Sequence, residues 1–313
     1  LMKKITIISP VFNEESVIKV FFNALKETLD SIENNYIFEI LFVVDKSSDK
    51  TFEIITEIAK ENNNVKAILL SRRFGHQMSL VAGMDQVKDG AIIMMDSDLQ
   101  HPPNVILEMI DKYEKGFEIV YTIRTSTEKQ NLIRSTMSKI FYYLLNRISD
   151  INIGIGEADY RLISPKVVNI FQNQIRERNQ FLRGLFKWVG FKSVSVNFKA
   201  NERVAGKTKY SFNTMIKFAS SGLTSFSRKP LQYSIYLGVI LSLLSFGIGI
   251  HSFISYFLNN VTPSGWTTLT ILISLFSGIQ LLFLGVIGEY IGSIFEEVKQ
   301  RPLYIIEDKI NIK

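Results

Sequence analysis

Two carboxylates one residue apart, Asp96-Ser97-Asp98, directly follow the apolar run 91–95. At a strand end that spacing lets a divalent cation be shared between the chain and a diphosphate, because hard cations take oxygen ligands and commonly borrow some of them from phosphate. Taken alone, Asp-x-Asp is more often a capped turn, since Asp accepts hydrogen bonds from neighbouring backbone N–H groups. Other polar or ring-bearing residues stand where apolar runs stop: Pro10, Phe12 and Glu14 after 5–9, Asp45 after 38–44, and Arg72 after 65–71. No Gly-x-Gly-x-x-Gly and no Walker sequence follows the first run, which removes the dehydrogenase and kinase readings. The chain has no cysteine, and its three histidines, His76, His101 and His251, lie far apart in sequence. A disulfide framework, a thiolate metal site and zinc chemistry are therefore not expected.

The elements that must position these residues read as α/β. Short runs rich in β-branched residues at 5–9, 38–45, 65–71, 91–96 and 118–122 alternate with helical periodicity, the pattern of a mainly parallel sheet. Ile18, Phe21, Phe22, Leu25, Leu29 and Ile32 recur at helical spacing and form one apolar stripe. An open parallel sheet binds ligands beyond the carboxyl ends of its strands, where the candidate residues fall.

Farther on, 233–258 and 266–288 contain no Asp, Glu, Lys or Arg, and each exceeds the roughly 20 residues that cross a bilayer. Lys217, Arg228 and Lys229 precede the first stretch, Lys299, Arg301 and Lys309 follow the second, and the linker 259–265 is uncharged. Two transmembrane helices with both flanks in the cytoplasm are expected; the plainer alternative is a buried helical hairpin. The net charge of +6 then points to a membrane surface rather than nucleic acid. Segments 213–228 (Met215, Ala219, Leu223, Phe226) and 129–147 have one apolar face and are expected at the interface or packed on the soluble part. Lys3 and Lys4 are followed by only five apolar-rich residues before Pro10, so no signal peptide is expected.

In order along the chain, Ser9-Pro-Val-Phe-Asn-Glu-Glu15, Asp45 with Ser47-Ser48-Asp49, and Asp96-Ser-Asp-Leu-Gln-His-Pro-Pro103 resemble glycosyltransferase family 2. Ser71-Arg-Arg-Phe-Gly75, Ala158-Asp-Tyr-Arg-Leu162, Glu177-Arg178, Phe181-Leu-Arg-Gly184 and Arg203-x-x-Gly-x-x-Lys-Tyr210 are similar to its polyprenyl-phosphate branch, that of bactoprenol glucosyltransferases and dolichyl-phosphate mannose synthases. The resemblance implies a GT-A (Rossmann-like) domain over 1–212, an interfacial helix over 213–230, a transmembrane hairpin over 231–295 and a cytoplasmic tail over 296–313. It implies Mg2+ or Mn2+ on Asp96 and Asp98, with Gln100 close by. Donor contacts would come from Pro10, Phe12, Glu14, Asp45 and Arg72, catalytic roles from Asp159, Arg161 and Asp98, and acceptor-phosphate contacts from Arg203, Lys209 and Arg124. The implied reaction is inverting transfer of one sugar from a nucleotide diphosphate sugar, a UDP-hexose foremost, to undecaprenyl phosphate in a bacterial inner membrane, by a homo-oligomer with a tetramer suggested.

Charge gives the mechanism its outline. A cation stabilises the leaving diphosphate, and the acceptor, a phosphate monoester with a second pKa of about 6, is already largely ionised at neutral pH. No strong general base is required. Two departures stand out: Val44-Asp45-Lys46-Ser47 replaces the family's Asp-Asp-Gly-Ser, and Gly156-Glu157-Ala158 replaces its Asp-Ala-Gly. The first removes a carboxylate used for the nucleobase, and Lys46 either contacts the donor or accommodates a different turn. Two alternatives remain. A processive synthase would carry more spans and Gln-x-x-Arg-Trp, and neither Trp188 nor Trp266 stands in that setting. A degenerate transferase retained as a scaffold or flippase partner is favoured by Val44 and Lys46 and opposed by Asp96, Asp98 and Arg203.

Overall fold

The computed structural model describes residues 3–32, 36–125, 156–200, 227–259 and 265–312. In chain order the elements are β1 (Lys3–Val11), α1 (Ile18–Asp30), β2 (Tyr36–Val44), α2 (Thr51–Glu61), β3 (Val65–Leu70), α3 (His76–Gln86), β4 (Ala91–Met94), α4 (Val105–Glu114), β5 (Ile119–Thr125), β6 (Glu157–Ile163), α5 (Pro165–Asn173), α6 (Leu182–Trp188), β7 (Ser193–Lys199), α7 (Lys229–Asn259), α8 (Trp266–Val298) and β8 (Ile306–Ile310). The fold is the expected α/β class, with a mostly parallel mixed sheet. All five strands read from the sequence are present.

The eight strands form one sheet in the order β7-β5-β6-β4-β1-β2-β3-β8. β3, β2, β1 and β4 run parallel, whereas β6 enters antiparallel between β4 and β5. Both faces are covered, because the strands carry apolar residues at odd and even positions alike. In β2, Phe38, Ile40, Phe42 and Val44 face a core with α1, α2 and α4, while Leu41 and Val43 face a second core with α3, α5 and α6. The stripe Ile18, Phe21, Phe22, Leu25 and Leu29 of α1 is buried as expected. α5 starts on Ser164, whose Oγ accepts from the Val167 N–H, with Pro165 preset in the first turn.

α7 and α8 are long, apolar and exposed along their length. They could cross a membrane by length and composition. Beyond them the segment expected as a tail returns to the sheet: Leu303 enters the second core, and β8 pairs antiparallel with β3. Ile-Glu-Asp-Lys-Ile did not read as a strand because an edge strand with solvent on its outer side tolerates charge. The segment 129–147 and most of 213–228 lie outside the described residues.

Candidate active site

β1 and β4 are the adjacent parallel strands at which the sheet order changes direction, so a crevice opens at their carboxyl ends. The loop after β4 is held there as a closed turn. The Asp96 N–H donates to His101 Nδ1 at 3.1 Å, and the Gln100 N–H donates to Asp98 Oδ1 at 3.1 Å. Leu99 between them takes a left-handed backbone, φ +61°. Ser97 Oγ donates to the Pro10 carbonyl at 3.4 Å, tying the turn to β1. The His101 ring stacks on Tyr160 of β6 with centroids 4.9 Å apart, and Tyr160 Oη donates to the Pro102 carbonyl at 3.0 Å. Because Nδ1 accepts a backbone N–H, the proton of neutral His101 sits on Nε2.

β6 runs antiparallel to β4 with Arg161 opposite Met94, so Asp159, two residues earlier, projects past the end of β4 beside the Asp96 turn. Asp159 is only 9 % exposed and accepts from Arg183 Nε at 2.9 Å, Arg183 Nη2 at 2.8 Å and Arg161 Nη2 at 3.3 Å. Burial alone would raise its pKa, but Arg183, His76 and Arg161 outweigh that and hold it well below the usual carboxylate range. Arg161 is 2 % exposed, its guanidinium 4.6 Å from the Phe186 ring centroid and its Nη2 also donating to the Ala158 carbonyl. Its Nε has no hydrogen-bond partner among the described residues.

His76 joins the two aspartates. Its Nε2 is 3.7 Å from Asp96 Oδ1 and 3.6 Å from Asp159 Oδ2. Burial acts to lower its pKa, yet the carboxylates of Asp96 and Asp159 win and raise it to about 9. Asp45 sets this position from below: its carboxylate accepts the Phe74 N–H at 2.7 Å and the Gly75 N–H at 2.9 Å. Gly75 has φ +94°, which glycine adopts without strain, and α3 begins on His76.

Of the expected site residues, Asp96, Asp98, Asp159 and Arg161 are brought together, with Gln100 bonded to Asp98 through its backbone. Pro10 contributes its carbonyl to the turn. Phe12 lies 4.1 Å beneath the Arg73 guanidinium, and Arg72 stacks 4.2 Å from the Phe74 ring. The Glu14 N–H donates to Thr51 Oγ1 at 2.9 Å, joining the loops after β1 and β2. Asp45, expected at the donor, commits both carboxylate oxygens to the backbone ahead of α3. Arg124 is exposed near the end of β5, beyond β6 from β4. Arg203 and Lys209 lie outside the described residues. His76, His101 and Arg183 were not among the expected residues, although each adjoins or lies within a quoted motif, a signal that sequence spacing supplied and side-chain chemistry would have sharpened.

Among the described residues no group of three His, Asp or Glu side chains is arranged to hold a metal. The neighbouring carboxylates of Asp96 and Asp98 fit a cation that takes its remaining oxygens from a bound ligand and water, as Mg2+ and Mn2+ do at phosphates.

A parallel β1–β4 half-sheet with Asp-x-Asp after β4, and an aspartate carried beside it on an antiparallel strand, defines a GT-A-type glycosyltransferase. The profile of glycosyl transferase family 2 matches residues 6–171. An uncharacterized glycosyltransferase of Bacillus subtilis (strain 168), YkcC, is 43 % identical over 311 residues, 98 % of this chain and 94 % of the relative. The bactoprenol glucosyl transferase of Shigella phage SfV is 35 % identical over 306 residues, 98 % and 99 % of the two chains. Among solved structures, mannosyltransferase PcManGT from Pyrobaculum calidifontis, in complex with GDP-Man and Mn2+, gives a TM-score of 0.47 at 11 % identity, covering 96 % of this chain and 89 % of that one. The chain belongs to glycosyl transferase family 2.

Proposed function

We propose that the protein transfers a single hexose from a nucleotide diphosphate sugar to a polyprenyl phosphate at the cytoplasmic face of a membrane, with inversion at the anomeric carbon. The observation that carries this reading is the convergence of Asp96 and Asp159 on His76, within 3.7 Å of both. In this reading Asp96 is the carboxylate that would bind the cation and Asp159 the pinned anion across the crevice from it, an arrangement suited to breaking a bond between a diphosphate and a sugar. The lipid acceptor is supported by the relatives named bactoprenol glucosyl transferase and by the two apolar helices that follow the catalytic sheet.

When bound at Asp96 and Asp98, a divalent cation supplies positive charge to the departing diphosphate. Arg183 and Arg161 keep Asp159 ionised, so it faces the anomeric carbon as a fixed negative charge and stabilises the positive character that develops there. An aspartate so acidic is a poor base, which agrees with an acceptor phosphate that arrives ionised. Asp45 and Gly75 fix the start of α3, and His101 fixes the Asp96 turn. Arg203, Lys209 and Arg124 are proposed to receive the acceptor phosphate, with α7 and α8 as the spans that hold the crevice at the lipid surface and bring copies of the chain together.

The test is transfer from a panel of labelled nucleotide sugars to a short polyprenyl phosphate with Mg2+ or Mn2+. Labelled lipid from one donor, lost on chelation and in Asp96→Ala, is the expected result. No transfer from any donor by folded protein would favour the scaffold reading.

A further inference from the structure

Lys46 and Glu307 form an ion pair although they lie 261 residues apart. Lys46 follows Asp45 at the end of β2, and Glu307 belongs to β8, beyond the two apolar helices. The strand registers set them level: Val44 is opposite Leu69, Leu69 opposite Asp308, and Leu70 opposite Ile306. The pair therefore stands at the carboxyl edge of the sheet, with both side chains nearly half exposed. β8 also fixes the neighbouring loop, because the Ile305 carbonyl accepts the Ser71 N–H at 3.0 Å, at the root of Arg72 and Arg73.

On the proposed function, the diphosphate sits at Asp96 and Asp98 and the sugar lies towards Asp159 on β6. β6 flanks β4 on one side, and β1, β2, β3 and β8 follow in order on the other. A nucleoside attached to the diphosphate opposite the sugar must then run over β1 and β2. Two strand spacings of about 4.8 Å take it about 10 Å from β4 to the end of β2. There Val44 stands where the family has a carboxylate, and Glu307 arrives from β8.

We propose that Lys46 and Glu307 are the base-selecting element of the donor site, β8 supplying the carboxylate that β2 lacks. Glu307 is an acceptor and Lys46 a donor, side by side. Their complement is a base edge with a ring N–H next to a carbonyl, present in uracil and guanine and absent from cytosine and adenine. Glu307 accepts the ring N–H, Lys46 donates to the carbonyl, and the keto bases are chosen. This inference rests on the functional reading above.

The experiment is calorimetric binding of UDP, CDP, GDP and ADP to the full chain in detergent with Mn2+, which needs neither acceptor nor turnover. Within each pair of similar size, UDP against CDP and GDP against ADP, the tighter-bound pair should favour the keto base at least tenfold. Glu307→Gln and Lys46→Ala should each reduce that preference below threefold, whereas Lys309→Ala, on the same strand but bonded to Gln86, should leave it unchanged. Asp96→Ala should weaken all the nucleotides together and keep the preference. A preference unchanged in Glu307→Gln and Lys46→Ala, including equal weakening of every nucleotide, would reduce β8 to a support and overturn the proposal while Asp96→Ala still upheld the function. A parent chain that binds no nucleoside diphosphate would overturn both.

Discussion

Asp159 is the residue at which charge is most concentrated, with two arginines and a histidine around one buried carboxylate. Asp159→Asn keeps the shape and removes the charge, so turnover should fall by at least about tenfold while donor affinity, measured by calorimetry, changes little. Equal losses in both would show that it serves only to bind. Arg183→Ala breaks the bidentate pair and leaves Asp159 buried with only Arg161 and His76 beside it, a change expected to cost about 3 kcal/mol in denaturant unfolding. His76 has a pH signature with a definite sign. Its folded pKa of about 9 lies above the unfolded value of about 6.5. Its stabilising contribution is therefore complete below about pH 6.5 and is lost as pH rises through about 9. In chelator, the thermal stability of the parent should exceed that of His76→Gln at pH 6 and converge with it above pH 9. Saturating Mg2+ at Asp96 neutralises the carboxylate that holds the proton, so the His76 midpoint followed by NMR should move down. With three histidines in the chain, the assignment is tractable.

At the scale of elements, α3 carries His76 at its first residue and is seated by a glycine. A methyl group at Gly83 would meet Ile8 Cγ2 at 2.5 Å and Val43 Cγ2 at 3.0 Å, pushing α3 off β1 and β2. Gly83→Ala should cost about 1–3 kcal/mol in chemical unfolding and lower transfer by more than the lost folded fraction, because the helix that positions His76 moves. A variant as stable and as active as the parent would refute that coupling. Strands β1 to β5 and the helix α1 were legible in the sequence because two-faced burial and a continuous apolar stripe leave strong local periodicity. β6 was quoted as the motif Ala158–Leu162 without being seen as a strand, since Asp159 and Arg161 put charges where a buried strand usually carries aliphatic residues. β8 was hidden for the opposite reason, its solvent face being charged. The acidic pair after β4 was legible from its place at a strand end, whereas the convergence of His76 and Arg183 on Asp159 depends on contacts between residues 83 and 24 positions apart, which no local pattern encodes.

At the scale of the whole molecule, charge and apolar surface offer two ways of holding the chain to lipid. If α7 and α8 span, the full chain should float with neutral-lipid vesicles in 1 M salt, where the Debye length is about 3 Å and the attraction of a basic surface is screened. Release into the soluble fraction by salt would instead assign attachment to the +6 net charge. The position of β8 also dictates an order of events during synthesis. Chains fold from the amino end as they emerge, and β1 to β7 precede α7 and α8, but the strand that covers the β3 edge follows them. A nascent chain thus presents β3 as an uncovered edge until both apolar helices have left the ribosome, so the sheet gains its eighth strand only in a chain that already carries those helices.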